Sequence, residues 1–345
     1  MQEILAKAKT YLSNQMPFVV FANPNSNQLQ AYFQHNDSLE LFTEQSGFVF
    51  ASFNNTVKYC ISAKNSLFCS NEITFSENIN TSEIAISEDV DERVNFELLV
   101  GNAVQSIQNK AFEKVVLSRK VTVAISLDVL VSFQNLLINY GSAFRYLLYH
   151  PKVGMWMGAT PEQLVKIENN ELNTVALAGT QLFSENIIWG EKELQEQKFV
   201  TDFITNEIKQ FSDTINISKP FTEKAGALAH IKTTITAILK DSFSFMDLLN
   251  TLHPTPAVCG LPKDKALQHI IENEKYDRKL YTGFLGEYTI NHKTNLFVNL
   301  RCMEIEADKV NLYVGCGITE GSIPKKEYIE TQNKLETILK ILKQK

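Results

Sequence analysis

The stretch YTGFLGEYTINHKTNLFVNLRCMEIEADKVNLYVGC, from Tyr281 to Cys316, decides the fold of this chain. It contains three runs rich in β-branched and aromatic residues, at 281–290, 296–304 and 309–316. Short polar segments at 291–294 and 307–308 separate the runs and are typical of turns. Strands joined by such short turns pair antiparallel, because a parallel pair needs a long crossover connection. The stretch therefore predicts part of an antiparallel sheet.

Strands and helices alternate unevenly on either side of this stretch. The first 90 residues form short apolar runs between polar turns, which predicts hairpins. Further strands are predicted at 114–125, 143–150, 153–157, 163–168 and 171–178. Apolar residues at helical spacing predict helices at 94–110, 127–140, 191–210, 244–252, 263–273 and 325–342. Neighbouring antiparallel strands punctuated by helices indicate an α+β fold and argue against a doubly wound parallel sheet.

The composition is that of an ordinary globular protein. The chain has 345 residues, of which 44% are hydrophobic and 21% charged, and it shows no linker, repeat or low-complexity segment. A net charge of -6 argues against nucleic-acid binding. No apolar run is long enough for a membrane span, and residues 1–15 predict an amphipathic helix where a targeting signal would stand. Five cysteines without CxxC spacing fit a reduced, cytoplasmic protein.

Two pairs of glutamates stand out within the predicted helices. Glu193 with Glu196, and Glu327 with Glu330, each have i, i+3 spacing and so project from one face of a helix. Lys334 follows on the same stripe as the second pair. If the four carboxylates converge, they require a hard cation between them, and Mg²⁺ suits a site without His or Cys. Most such pairs, however, are simply solvated helix faces.

Two further ionisable residues are candidates for proton transfer. Glu162, in GATPE, stands at a turn between predicted strands, where a desolvated carboxyl could stay protonated as a general acid. The alternative is an exposed turn carboxylate. Lys114 opens an apolar strand, where a lysine drawn inward can act as a base. The alternative there is a side chain that reaches out to solvent.

Two glycine- or proline-rich segments are weaker signals. GCGITEG, at 315–321, has G-x-G-x-x-x-G spacing, which does not match the dinucleotide pattern, and its glycines are better explained by close approach of the backbone to an anion. HPTPAVCGLP, at 253–262, holds three prolines and a glycine, which predicts a rigid connecting loop. Its histidine, His253, is more often structural than catalytic in such a setting.

Eight segments, taken together and in order, resemble the chorismate-utilising enzymes: FEKVVLSR, GATPEQL, LAGT, KELQEQ, LHPTPAVCGLP, YTGFLG, NLRCMEIE and GCGITEGSIPKKEYIET. The group includes isochorismate synthase, salicylate synthase and component I of anthranilate and aminodeoxychorismate synthases. The resemblance covers roughly residue 96 to the C-terminus. It implies an α+β fold in which two large, mostly antiparallel sheets stack between outer helices. We expect residues 1–345 to be a single domain, with a divergent part at 1–95 that completes the sheets and a catalytic core at 96–345.

The resemblance implies a metal site. Glu193, Glu196, Glu327 and Glu330 match the Mg²⁺-binding carboxylates of the family, and we expect Glu196 and Glu330 to be direct ligands. The metal would hold the ring carboxylate of chorismate.

The resemblance also implies the residues that bind the substrate. Lys334 would assist the metal in holding the ring carboxylate. Tyr281 and Arg301 match residues that bind the pyruvyl carboxylate, and a guanidinium suits a planar two-point contact. Thr180 and Gly317 would add hydroxyl or backbone contacts.

The resemblance favours one branch of the family chemistry. Ala178 stands where aminodeoxychorismate synthase is expected to carry a nucleophilic lysine, and Lys114 stands where ammonia-using members have glutamine. Water is then the nucleophile: Lys114 as base activates it to attack C2, and Glu162 as acid protonates the departing C4 hydroxyl. This is the isomerase reaction of a Mg²⁺-dependent isochorismate synthase, which supplies menaquinone or siderophore synthesis.

Three alternatives stay open. Salicylate synthase would add elimination of pyruvate, an ammonia-using synthase would need an amidotransferase partner, and a non-catalytic relative would bind chorismate as a sensor or scaffold. We expect a monomer in the cytoplasm that acts on a small molecule, without nucleic-acid, membrane or obligatory amidotransferase partners.

Overall fold

The computed structural model describes residues 1–74, 84, 89–225, 228–289 and 293–345, without the side chains of residues 180, 192, 225 and 228. The predicted turn at 291–294 therefore lies partly outside the described residues.

Seven helices are present in the described residues: α1 (Gln2–Ser13), α2 (Val90–Gln108), α3 (Val129–Asn139), α4 (Glu191–Ile208), α5 (Phe245–Leu252), α6 (Lys263–Asn273) and α7 (Pro324–Leu339). The strands in the first half of the described chain are β1 (Phe18–Ala22), β2 (Gln28–Gln34), β3 (Glu40–Leu41), β4 (Gly47–Ala51), β5 (Lys58–Ser62), β6 (Ser66–Glu72), β7 (Lys114–Val123), β8 (Phe144–His150), β9 (Gly154–Thr160) and β10 (Gln163–Glu168). Those in the second half are β11 (Glu171–Leu182), β12 (Ser212–Ile217), β13 (Phe221–Ala225), β14 (Leu228–Leu239), β15 (Gly260–Leu261), β16 (Phe284–Thr289), β17 (Lys293–Val298), β18 (Cys302–Ile305) and β19 (Val310–Ile318).

The described strands form two sheets. The first has the order β15-β7-β19-β18-β9-β8-β1-β2-β6, and the second has the order β12-β14-β11-β10-β17-β16-β4-β5-β3, with β13 paired to β14. Neighbouring strands run antiparallel, as β7 and β19 do over nine paired residues. Strands from residues 1–95 lie in both sheets. The predicted α+β fold with two large, mostly antiparallel sheets is confirmed.

The two sheets pack face to face, and helices cover their outer faces. Between the sheets lies an aromatic core in which the Phe144 ring of β8 stacks on the Phe297 ring of β17, with centroids 4.3 Å apart. Strand β1 is buried on both faces, because Val19 and Phe21 point into this core while Phe18 and Val20 point to the layer that contains α1 and α3. Helices α4 and α5 pack on the outer face of the second sheet. Burial of each such side chain contributes about 1.5–3 kcal/mol to stability.

The stretch 281–316 differs from its prediction at both ends of β16 and at one larger point. Residues 281–283 form a turn before β16, and residues 293–294, predicted as part of a turn, belong to β17. The run at 296–304 was predicted as one strand, but it contains the end of β17, in the second sheet, and most of β18, in the first. The chain crosses between sheets at residues 299–301, where Arg301 has a φ of 47°. The single-strand prediction was therefore wrong, and it failed because no glycine or proline marks the crossing in the sequence. The turn at 281–283, before β16, requires a glycine, because a Cβ on Gly283 would lie 1.9 Å from the Ala51 carbonyl oxygen.

A second difference concerns residues 212–239. No strand was predicted there from the sequence, yet β12, β13 and β14 occupy most of this segment. The segment is rich in threonine and isoleucine, which is a signal for strands. None of the helices in the described part of the chain combines the length and apolar character that a membrane span needs.

Candidate active site

A cavity of about 160 Å³ lies where both sheets, α4 and α7 come together. Strands β7 and β19 of the first sheet and β11 and β14 of the second contribute to its wall, and so does the loop that contains Ala257 and Val258. Nine of the residues predicted from the sequence line it: Lys114, Glu162, Glu193, Glu196, Tyr281, Arg301, Gly317, Glu330 and Lys334.

Two predicted residues stand apart from this group. Glu327 is buried in the first turn of α7, at 4% exposure, and is not among the residues that line the cavity. The Thr180 side chain lies outside the described residues, although its backbone belongs to β11. The structure therefore brings together the predicted acid, the predicted base, the cations predicted to bind substrate and three of the four predicted metal-binding carboxylates.

Lys114 is the first residue of β7, and its side chain is only 1% exposed. The structure therefore shows the lysine drawn inward, as the candidate base requires, and the alternative of a side chain that reaches solvent is wrong. Its Nζ donates a hydrogen bond to Glu196 Oε1 at 2.8 Å, which joins the first sheet to α4. Gly317 makes room for this pair, because a Cβ there would lie 2.7 Å from Glu196 Oε1 and 3.2 Å from Lys114 Cε.

Glu162 follows β9 and is 9% exposed, so the alternative of an exposed turn carboxylate is wrong. Burial raises the pKa of Glu162 to about 7, and the charges of Lys114 and Lys334 only partly oppose the rise. The backbone around this residue is fixed, because the Val298 N–H donates to the Glu162 carbonyl at 2.9 Å. A carboxyl in this state can carry a proton near neutral pH, as a general acid must.

The carboxylates provide donors for a divalent cation. Glu193 and Glu196 reach the cavity from α4, and Glu330 reaches it from α7. Oxygen donors without His or Cys are those that Mg²⁺ prefers. Among residues that the structure describes, no three His, Cys, Asp or Glu side chains are gathered closely enough to hold a metal.

Glu196 and Glu330 instead each accept a hydrogen bond from a lysine at 2.8 Å. The donor chemistry thus fits Mg²⁺, and binding would require these carboxylates to leave their lysine partners.

Cations offset the acidic residues within the cavity. Lys334 Nζ donates to Glu330 Oε1 at 2.8 Å and to the Gly315 carbonyl at 2.9 Å. Burial lowers the pKa of Lys334, but the Glu330 carboxylate outweighs this effect, and the net pKa is raised. Burial also lowers the pKa of Arg301, which remains a strong base. Arg301 lies at the crossing between sheets, where its φ is positive, and it lines the cavity.

An aromatic wall accompanies these charges. Tyr281 is buried and stacks on Tyr313, with ring centroids 5.3 Å apart and planes inclined by 19°. Tyr313 in turn donates a hydrogen bond to Glu304 Oε2 at 3.1 Å. Both tyrosines line the cavity and give this part of its wall an aromatic character.

His230, which the sequence analysis missed, also lines the cavity. Its Nδ1 lies 2.9 Å from the Gly179 carbonyl oxygen and therefore carries the hydrogen. Burial lowers the pKa of His230 to about 4, so the ring is neutral at pH 7. The signal that could have found it is a single histidine within the Thr- and Ile-rich strand β14.

His253 has a structural role, as the loop prediction suggested. The side chain is fully buried and its Nε2 lies 3.1 Å from the Phe53 carbonyl oxygen. The ring also packs edge-on against Phe284. His253 is not among the residues that line the cavity, whereas Ala257 and Val258 from the same loop are.

Comparison with known proteins gives a consistent result. A family model described as chorismate binding enzyme matches residues 50–343. Anthranilate synthase component 1 of Lactococcus lactis is 30% identical over 259 residues, which cover 71% of this chain and 57% of the relative. Isochorismate synthase EntC of Escherichia coli is 27% identical over 281 residues, which cover 78% of this chain and 71% of EntC.

A solved structure shows the same fold. MenF, the menaquinone-specific isochorismate synthase of Escherichia coli, superposes with a TM-score of 0.79 at 19% identity, covering 95% of this chain and 89% of MenF. The family match extends over most of the chain, including every strand and helix that lines the cavity. The chain therefore belongs to the chorismate binding enzyme family.

Proposed function

We propose that this protein is an isochorismate synthase, an isomerase that adds water at C2 of chorismate and expels the C4 hydroxyl. One observation carries the proposal: a buried lysine and a buried carboxyl with a pKa of about 7, Lys114 and Glu162, line the same cavity. A protein that only binds a dianion has no need of this pair. The net reaction is an isomerisation, because the water that enters replaces the hydroxyl that leaves.

The cations of the cavity would bind the two carboxylates of the substrate. Arg301 and Tyr281 are assigned to the pyruvyl carboxylate, and Lys334 to the ring carboxylate. The stacked rings of Tyr281 and Tyr313 would lie against the ring of the substrate. Thr180 and Gly317 are retained as contacts of the hydroxyl and backbone type. A protein with a net charge of -6 can hold a dianion in this way, because the charge is reversed locally.

We assign Mg²⁺ as the cofactor, held directly by Glu196 and Glu330, with Glu193 and Glu327 acting partly through water. When bound, Mg²⁺ would supply positive charge for the ring carboxylate. Glu196 and Glu330 come from α4 and α7, and both carboxylates lie on the cavity wall. Glu327, buried in the first turn of α7, would support this site from behind.

Lys114 is the general base in this proposal. It accepts a proton only as an uncharged amine, and its 2.8 Å contact with Glu196 must be given up for the amine to face a substrate water. Lys114 then removes a proton from the water while the oxygen forms its bond to C2. Glu162 donates its proton to the C4 oxygen as that C–O bond breaks and the ring double bonds shift. Each proton transfer of this kind is worth about 10²–10⁴ in rate.

An ammonia-using reaction is a second candidate, because the lactococcal relative at 30% identity is an anthranilate synthase component 1. A cavity with Ala178 and Lys114 favours water over ammonia as nucleophile, which keeps isochorismate as the preferred product. Salicylate synthase is a further variant, in which pyruvate is eliminated from isochorismate.

The deciding experiment is incubation with chorismate and Mg²⁺, with and without ammonium salts, and chromatographic identification of the product. We expect isochorismate in both conditions. Salicylate, or an aminated product that requires ammonium, would replace the proposal by one of its alternatives. Tight binding without any turnover would favour a non-catalytic relative.

The remaining assignments follow from the same proposal. We propose a monomer without an obligatory amidotransferase partner, acting as a single domain in which residues 1–95 complete both sheets. All five cysteines are free, which fits the reducing cytoplasm. We propose menaquinone or siderophore synthesis as the destination of the product.

A further inference from the structure

Arg278 lies behind the cavity wall, in the segment between α6 and β16, and is only 2% exposed. Its Nη1 donates to the Val258 carbonyl at 3.0 Å, and its Nη2 donates to the Val116 carbonyl at 2.7 Å. Val116 belongs to β7 and Val258 to the proline-rich loop, and both line the cavity. One guanidinium thus ties together two separate parts of the wall.

The same residue also holds the turn before β16. Arg278 Nη1 lies 3.3 Å from Thr282 Oγ1, and the Arg278 carbonyl accepts a hydrogen bond from the Tyr281 N–H at 2.9 Å. Tyr281 and Thr282 line the cavity as well. Arg278 therefore contacts four lining residues from three segments of the chain, although it does not itself line the cavity.

Glu274 holds the guanidinium in place. Its Oε2 accepts from Arg278 Nε at 2.7 Å and its Oε1 from Arg278 Nη2 at 2.6 Å, which is the planar two-point geometry of a strong pair. Oε1 also accepts from the Ser118 N–H at 2.6 Å and from the Ser118 hydroxyl at 2.9 Å. Ser118 is two residues beyond Val116 on β7, so the carboxylate fixes the same strand that the arginine holds.

A buried ion pair is by itself weak support for stability, because desolvation offsets most of its attraction. This pair has a distinct feature, since every acceptor that Arg278 reaches, apart from Glu274, belongs to a residue on the cavity wall. We propose that Glu274 and Arg278 are positioning residues, which fix the distance between β7, the proline-rich loop and the Tyr281 turn and so keep the substrate cavity in its reactive shape. Only the kinetic test of this positioning role depends on the proposed function.

The test compares two buried arginines in the intact protein. Arg145 is also 2% exposed and donates to three backbone carbonyls, of Leu137, Asn23 and Ser26, none of which lines the cavity. We expect Arg278→Lys to lower kcat/KM for chorismate by about 10²-fold per folded molecule, as displacement of a wall by about 1 Å can do. Arg145→Lys should lose thermal stability while keeping kcat/KM within about threefold of the parent protein.

A second readout requires no ligand. The Val116 N–H donates to the Cys259 carbonyl at 2.7 Å, so it reports the contact between β7 and the loop. Hydrogen exchange measured by mass spectrometry should be faster at 114–119 and 253–262 in Arg278→Lys, and unchanged there in Arg145→Lys. Should Arg278→Lys not fold, Ser118→Ala removes one bond to Glu274 and is compared with Ser132→Ala, a buried serine outside the cavity wall.

The outcomes separate the two proposals. If the parent protein does not convert chorismate, the proposed function fails, and the exchange pattern still decides whether the pair holds the wall. Unchanged exchange at both segments in the Arg278 and Ser118 variants would overturn the positioning role. Faster exchange with unaltered kcat/KM would also overturn it, since the wall would then move without consequence for the reaction.

Discussion

Replacement of Glu162 by glutamine tests the proposed reaction most directly. Glutamine has the shape of a protonated glutamate, so Glu162→Gln should leave chorismate affinity within about threefold of the parent protein. A carboxamide has no acidic proton to deliver, and loss of general acid catalysis costs about 10²–10⁴ in kcat. That loss corresponds to about 3–5 kcal/mol of transition-state stabilisation.

The structure adds a stability prediction for the same variant. Burial raises the folded-state pKa of Glu162 from 4.5 to about 7, so the folded protein binds more protons than the unfolded chain between these two values. Stability contributed by this group is therefore lost as the pH rises from 4.5 towards 7, by about 3 kcal/mol in total. Glu162→Gln does not ionise and should be more stable than the parent at pH 8 by up to this amount, with little difference at pH 4.

The assay pairs steady-state kinetics of chorismate loss with calorimetric binding and thermal unfolding at pH 4, 6 and 8. In the parent protein, kcat should fall as the pH rises above about 7, where Glu162 loses its proton. Turnover within a few-fold of the parent would remove Glu162 from the mechanism. An equal difference in Tm at all three pH values would show that the carboxyl is not buried as described.

Three further predictions concern the base, the metal and the space between them. Lys114→Met should lower kcat by about 10²–10⁴ with chorismate affinity retained in calorimetry, and near-normal turnover would exclude this residue as the base. Glu330→Ala should abolish the response of activity to Mg²⁺. The control Glu336→Ala, at an exposed site on the same helix, should keep this response. An undiminished response to Mg²⁺ in Glu330→Ala would refute the ligand assignment. Gly317→Ala would place a methyl group 2.7 Å from Glu196 Oε1 and 3.2 Å from Lys114 Cε, so it should displace this pair and impair turnover. Gly321→Ala, with open space around it, should be silent in the same kinetic assay.

The sequence predicted the fold well where local signals were strong. The seven helices of the described residues and the strands β7 to β11 were anticipated, because their apolar periods are regular and their ends carry turn residues. The crossing at 299–301 was missed, since the run around it looks like one continuous strand and the positive φ of Arg301 has no local signature. Whether the chain changes sheets at this point depends on packing between the two sheets, and the sequence of one strand-like run does not encode that packing.

The site was only partly predictable from residue types. The spacing of Glu193 and Glu196 indicated a shared helix face, but only the family motifs indicated that α4 and α7 contribute residues to the same cavity. Glu327 does not line the cavity. Side chains three residues apart on a helix point in directions about 60° apart, which is enough for Glu327 to be buried in the interior while Glu330 reaches the cavity. His230 was missed because its strand was not recognised, and a neutral histidine in a cavity has no pattern of its own.

The crossing at Arg301 links a proposed substrate-binding residue to the completion of the sandwich. The guanidinium reaches the cavity from the segment that leaves one sheet and enters the other, and the facing walls come from both sheets. An intermediate in which a single sheet had formed would offer the substrate half a pocket and no organised arginine. Binding of the proposed substrate therefore requires both sheets to be docked, so refolding followed by ligand fluorescence or calorimetry would report the complete sandwich and not a single sheet.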